Sequence, residues 1–168
     1  MPAHAVLSSR TPPLPAVTGG IVIAEATTQV AASPDAVWSL WLDVAKRPLW
    51  HPRLEWARLD SSAAIGSRGQ WKPERTRPVS VEITVLEPQR RLVLRGTHGP
   101  PVARGHYEHE LAPITGGGSL LTHRMRLTGP LARPIGRLLG GALGVFATPA
   151  ALTALAAQLA VSAERKLS

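Results

Sequence analysis

Residues 103–128 read ARGHYEHELAPITGGGSLLTHRMRLT, two alternating runs about a glycine-rich turn. In the first run Tyr107, His109 and Leu111 alternate with His106, Glu108 and Glu110. In the second, Leu121, His123, Met125 and Leu127 alternate with Thr122, Arg124 and Arg126. A period of two is that of strands with one apolar and one wet face. A turn centred on Gly116 sets His109 opposite His123, Tyr107 opposite Met125 and Leu111 opposite Leu121, all on the apolar face. A slip of one residue would turn every one of them to water. Glu108 and Glu110 are expected to face solvent, which leaves His109 without an acidic partner.

Similar short runs lie on the N-terminal side. Ile21–Val30, Leu54–Asp60, Arg68–Lys72, Val79–Glu87 and Arg91–Thr97 read as strands. Val79, Val81, Ile83 and Val85 are expected on one face of theirs. Separators this short favour hairpins and an antiparallel sheet over strand–helix–strand units. Between the first two strands, Ser33 suits an N-cap and Pro34 the first position of a helix running to about Asp43, with Val37, Trp38 and Trp41 on one side. A second helical turn is expected over Val44–Leu49, and Pro48 and Pro52 limit regular structure around Trp50 and His51.

An apolar sheet face must be covered. Leu131–Lys166 is the one element long enough: Leu131, Ile135, Leu138, Leu139, Ala142, Leu143 and Phe146 follow helical spacing, as do Leu152, Leu155, Ala156 and Leu159. Pro149 lacks an amide proton, so a kink or break is expected at Phe146–Pro149, with Thr148 capping the second half. Residues 138–161 carry no formal charge and as a helix would measure about 36 Å, against a bilayer core of about 30 Å. The Ala- and Gly-rich composition and Pro149 favour a helix buried against the sheet over stable membrane insertion.

The chain has 168 residues, 44% hydrophobic and 18% charged, which suits one domain with a real core. It has no cysteine, which excludes a disulfide scaffold, a thiolate metal site and a thiol nucleophile. The net charge is +8, with 19 basic side chains of which only Lys46, Lys72 and Lys166 are lysine. They are scattered, whereas a nucleic-acid binder gathers its charge in a stripe, so no nucleic-acid partner is expected. His106 and His109 point to opposite faces of a strand, so no metal site is expected there. There is no phosphate loop, dinucleotide fingerprint or nucleophile elbow, and no cofactor is expected. Residues 1–20 contain Pro2, Pro12, Pro13 and Pro15 and no apolar run, and read as a disordered lead on a cytoplasmic protein.

Several local motifs stand in a characteristic order. They are Ala32-Ser33-Pro34-Asp35-Ala36-Val37-Trp38, Trp50-His51-Pro52, Gly66 before a strand, Pro88-Gln89-Arg90-Arg91-Leu92, and Gly118-Ser119-Leu120-Leu121-Thr122-His123 closed by Gly129. In this order they resemble the START-like, helix-grip (SRPBCC) superfamily, and its polyketide cyclase/dehydrase branch in particular. The resemblance implies an α+β fold: a curved antiparallel seven-stranded sheet wrapped around a long C-terminal helix, with two short helices between strands 1 and 2. Residues 21–168 would form one ligand-binding domain, a monomer or homodimer, with a cavity between sheet and helix.

On that fold, His109, His123 and Tyr107 become candidate catalytic residues. Imidazole both donates and accepts near neutral pH, and burial holds it neutral. The other reading of these three is that they satisfy one another or backbone groups. Trp41, Trp50, Trp56 and Trp71 are candidate ligand-binding residues, since flat rings suit aromatic or polycyclic ligands. Ile83, Met125, Leu139, Leu143 and Phe146 are expected to complete the apolar lining. Three functions remain open: binding of a hydrophobic small molecule, a polyketide cyclase, aromatase or dehydratase using the His and Tyr groups, or an interaction or stress-response module with a vestigial cavity.

Overall fold

The structure, a computed structural model, describes residues 19–51, 53–97, 102–143 and 148–167, the side chains of 140–143 and 162–167 excepted. Nearly all of the proline-containing lead, residues 1–18, thus lies outside the described residues. Seven strands form one antiparallel sheet: β1 (Ile21–Val30), β2 (Leu54–Leu59), β3 (Arg68–Pro73), β4 (Val79–Glu87), β5 (Arg91–Gly96), β6 (Arg104–Pro113) and β7 (Ser119–Thr128). Their spatial order is β1-β7-β6-β5-β4-β3-β2. All but the β1–β7 neighbours are consecutive in sequence, which is the hairpin pattern expected from the short separators.

The β6–β7 register is the expected one, with His109 opposite His123, Tyr107 opposite Met125 and Leu111 opposite Leu121. Gly116 and Gly117 have φ of 92° and 86°, a conformation that costs glycine nothing and other residues much. Along β7 buried and half-buried residues alternate without interruption.

Register shifts curl the sheet and correct two expectations. One falls between Ile83 and Val85, where Ile83 faces Leu94 and Val85 faces Val93. The extra residue moves Val85 to the outer face, away from Ile83. Another falls between Leu54 and Trp56, after which Trp56 pairs with Lys72 and Ala57 with Trp71. A bulge inverts the inside–outside phase of the strand beyond it. Trp56 is therefore carried to the outer face, where it is 37% exposed and stacks against Arg58, 5.7 Å from the ring centre. It is not part of an inner lining.

The outer face departs from expectation at Glu108, which is only 1% exposed. Arg126 Nε donates to it at 2.7 Å, and Arg91 lies 4.0 Å away. Glu110, half-buried, pairs with Arg124 at 2.7 Å. Long arginine side chains from β5 and β7 lie over the carboxylates of β6 and shield them.

Ser33 caps α1 (Pro34–Leu42), its hydroxyl accepting from the Ala36 amide at 3.3 Å. A 3₁₀ turn (Val44–Lys46) and the one-turn α2 (Arg47–Trp50) follow. The long C-terminal segment is interrupted before Pro149, as expected, and forms two helices: α3 (Ala132–Leu143) and α4 (Pro149–Leu167). Thr148 caps α4, accepting from the Ala151 amide at 3.3 Å, and Pro149 occupies the first helical position where its missing donor costs nothing. Of the break region, residues 144–147 lie outside the described residues.

α3 rests on β1 and β7. A Cβ at Gly136 would lie 2.5 Å from Ile21 Cδ1 and 3.2 Å from Ile23 Cγ2, so these side chains would have to shift to admit one. The same docking leaves Leu138 82% and Leu139 45% exposed, so Leu139 does not line the interior. The side chain of Leu143 and all of Phe146 lie outside the described residues. α4 buries Ala151, Leu152, Leu155 and Leu159 and packs on β1 and α2, while α2 and the 3₁₀ turn pack on β2. The two edge strands of the curled sheet are thus bridged by α4 and α2, and the segment Arg47–Trp50 is held over the inner face. Among the described residues no helix is long and apolar enough to cross a membrane.

Candidate functional site

The inner-face residues of β6 and β7 converge with α1 and α2. His109 and His123, paired across the two strands, have ring centres 4.3 Å apart and nearly perpendicular planes. Trp41 of α1 lies 5.3 Å from His109 and 5.6 Å from His123. Trp50 of α2 lies 6.2 Å and 5.9 Å from the same two rings. Trp41 and Trp50 are fully buried. The fold thus brings two candidate tryptophans onto both candidate histidines, from positions up to 82 residues apart.

One charged residue in the cluster carried no sequence signal. Arg47 opens α2 and is 1% exposed. Its Nη2 donates to His109 Nε2 at 3.2 Å. Its guanidinium carbon lies 5.0 Å from the Trp50 ring centre and 4.5 Å from that of Trp71. Among the described residues no carboxylate pairs with it. A ring face is worth about 2 kcal/mol to a desolvated guanidinium, while removing the charge from water costs more than that. Burial accordingly depresses its pKa to about 9, so it is still a cation at neutral pH. Arg47 is one of 16 scattered arginines, and a helix of one turn has no periodicity to reveal which side faces in.

Tyr107 packs against Trp71, ring centres 4.7 Å apart. Burial pushes its phenol up to about 12, so it stays protonated. Ile83 and Met125 are each 1% exposed and belong to the same core. Of the candidate residues, His109, His123, Trp41, Trp50, Trp71, Tyr107, Ile83 and Met125 are thus all buried within the core.

The electrostatics of the pair follow from burial and from Arg47. His109 is held well below its ordinary range by desolvation first, then by His123, Arg47 and His51. His123 is pushed down to about 3 by desolvation, then by Arg47 and His51. Both are neutral at pH 7. A guanidinium can only donate, so Nε2 of His109 accepts and its proton sits on Nδ1. That Nδ1, both ring nitrogens of His123, and the indole nitrogens of Trp41 and Trp50 are buried without a hydrogen-bond partner among the described residues. Five such polar atoms gather in one cluster, whereas buried polar groups are ordinarily hydrogen-bonded.

Among the described residues no group of three His, Asp or Glu could hold a metal ion. A separate groove of about 440 Å³ lies on the outer face, lined by Arg58, Arg68, Gln70, Glu82, Arg95 and Arg104 among others. Its lining is mostly polar and shares no residue with the aromatic cluster.

The fold is similar to that of several solved proteins. The Zhui aromatase/cyclase from Streptomyces sp. R1128 matches with a TM-score of 0.65 and 16% identity over 86% of this chain and 94% of that one. A START superfamily protein from Mycobacterium smegmatis matches at 0.61 and 16% identity, over 86% and 98%. A protein from Thermus thermophilus matches at 0.63 and 15%, over 83% and 97%. At such identities the likeness is one of fold. No curated protein matches the sequence. The model of the family described as polyketide cyclase/dehydrase and lipid transport matches residues 22–164. A helix-grip sheet closed by α2 and α4, matched along nearly its whole length by that model, makes this chain a member of the polyketide cyclase/dehydrase and lipid transport family.

Proposed function

We propose that this protein binds a hydrophobic small molecule between the inner face of its sheet and its helices. The observation that carries this reading is the set of buried, unpartnered polar atoms on His109, His123, Trp41 and Trp50, set beside Arg47 in a mostly apolar and aromatic wall. Such atoms are costly in a core and useful in a binding site, where a few polar groups orient a mostly apolar ligand. The walls offer indole faces to a flat or polycyclic body.

A second reading is a cyclase, aromatase or dehydratase in which His109, His123 and Tyr107 move protons. The contiguity of the two neutral imidazoles favours it. Their depressed pKa values weigh against it, because a base is most effective when its pKa lies near the working pH. Binding is therefore the primary reading.

Native mass spectrometry of the full-length protein as purified tests it, together with titration by hydrophobic probes read from tryptophan fluorescence. A retained small molecule, or saturable quenching that weakens in Trp71→Ala and His123→Ala, is expected. No retained mass and no saturable response to any probe would remove the proposal.

A further inference from the structure

The ligand-binding reading accounts for apolar walls and neutral polar atoms, but not for a cation. Arg47 is fully enclosed, is held between the faces of Trp50 and Trp71, and has no carboxylate partner among the described residues. Its only hydrogen bond there goes to His109. Its Nε is buried without an acceptor. A guanidinium is a rigid fork whose geometry matches the two oxygens of a carboxylate.

The surroundings are built for a positive potential rather than against one. Both imidazoles beside Arg47 are neutral, and a histidine can add only positive charge, so neither compensates the guanidinium. Glu108, Glu110 and Glu25 lie on the opposite face of the sheet, engaged with Arg91, Arg124 and Arg126. His109, by accepting from Arg47, is left with its Nδ1–H as a further buried donor without an acceptor. A carboxylate of two oxygens would answer the orphaned Nε of Arg47 and the orphaned charge.

Resting on the binding reading above, we propose that Arg47 anchors the carboxylate of an amphiphilic acid, with the acid's apolar body against Trp50, Trp71 and Tyr107. The ligand class is then a hydrophobic carboxylic acid, and Arg47 is its specificity-determining residue. His109 positions the guanidinium by accepting from Nη2.

The test uses the full-length protein and two matched pairs, naphthoate against naphthamide and laurate against lauryl alcohol, titrated at neutral pH. At least one acid is expected to bind about ten-fold or more tightly than its neutral partner. Preference within the first pair assigns an aromatic body, and within the second an acyl chain. In Arg47→Met the acid is expected to lose that advantage while the neutral partner binds as well or better. Equal affinity for acid and neutral partner in the wild-type protein would overturn the anchor alone, leaving hydrophobic binding intact. Failure of all four probes to bind would overturn the anchor, and would overturn hydrophobic binding as well where the purified protein also retains no small molecule. The wild-type comparison decides the matter even where Arg47→Met does not fold.

Discussion

The guanidinium of Arg47 donates through Nη2 to Nε2 of His109 at 3.2 Å, with both side chains buried. The direction of that bond assigns a tautomer. Nitrogen-detected NMR at neutral pH is expected to show Nε2 of His109 unprotonated and Nδ1 protonated. The reverse pattern would mean that Arg47 is not its donor. In Arg47→Met the two tautomers should approach the mixture found for free imidazole.

The depressed pKa values of His109 and His123 make the fold acid-labile. In the unfolded chain each takes up a proton near pH 6.5, whereas in the folded chain His123 does so only near pH 3 and His109 well below its ordinary value. Across that window the unfolded state binds more protons, so stability is greatest above the unfolded pKa and falls as pH drops. The slope approaches about 1.4 kcal/mol per pH unit for each histidine. Urea unfolding at about pH 7 and about pH 5 measures it, and the double substitution His109→Gln, His123→Gln should flatten the dependence. An unchanged slope would place the acid sensitivity elsewhere.

Glu108 holds the outer face together under Arg91 and Arg126. Glu108→Gln removes the charge while keeping the shape, and leaves two arginines facing a neutral amide. Breaking a buried pair from one side costs about 3 kcal/mol or more, and denaturant unfolding should show a loss of this order. A loss under about 0.5 kcal/mol, the range of ordinary surface substitutions, would mean that solvent reaches the network.

Docking of α4 depends on a narrow apolar stripe. Leu155 is fully buried against the core, so Leu155→Ala should destabilise by about 2–5 kcal/mol. Leu138, 82% exposed on α3, should be replaceable by alanine within about 0.5 kcal/mol. Equal effects at the two positions would contradict the arrangement of the helices.

Much of the architecture is legible because it is local. Alternation in β6 and β7 and the glycines between them specify a hairpin and its register, since a slip would expose Leu121 and bury Arg124. Ser33 with Pro34, and Thr148 with Pro149, mark helix starts through donors that sequence alone identifies. Errors arise where one inserted residue changes the phase. Trp56 and Val85 follow bulges that no residue type announces; alternation places Val85 on the wrong face, and an aromatic ring alone does not show that Trp56 faces out. Charge alone assigns Glu108 to water; the arginines that cover it come from neighbouring strands.

The chain's own order of residues therefore determined the strands, the caps, the interruption before Pro149 and the facing of His109 by His123, because each depends on contacts near in sequence or on a period. Only tertiary structure decided that Arg47 joins them. Its position depends on where one helical turn is carried when β2 and α4 close the curled sheet, and no interval in the sequence encodes a distance across that closure.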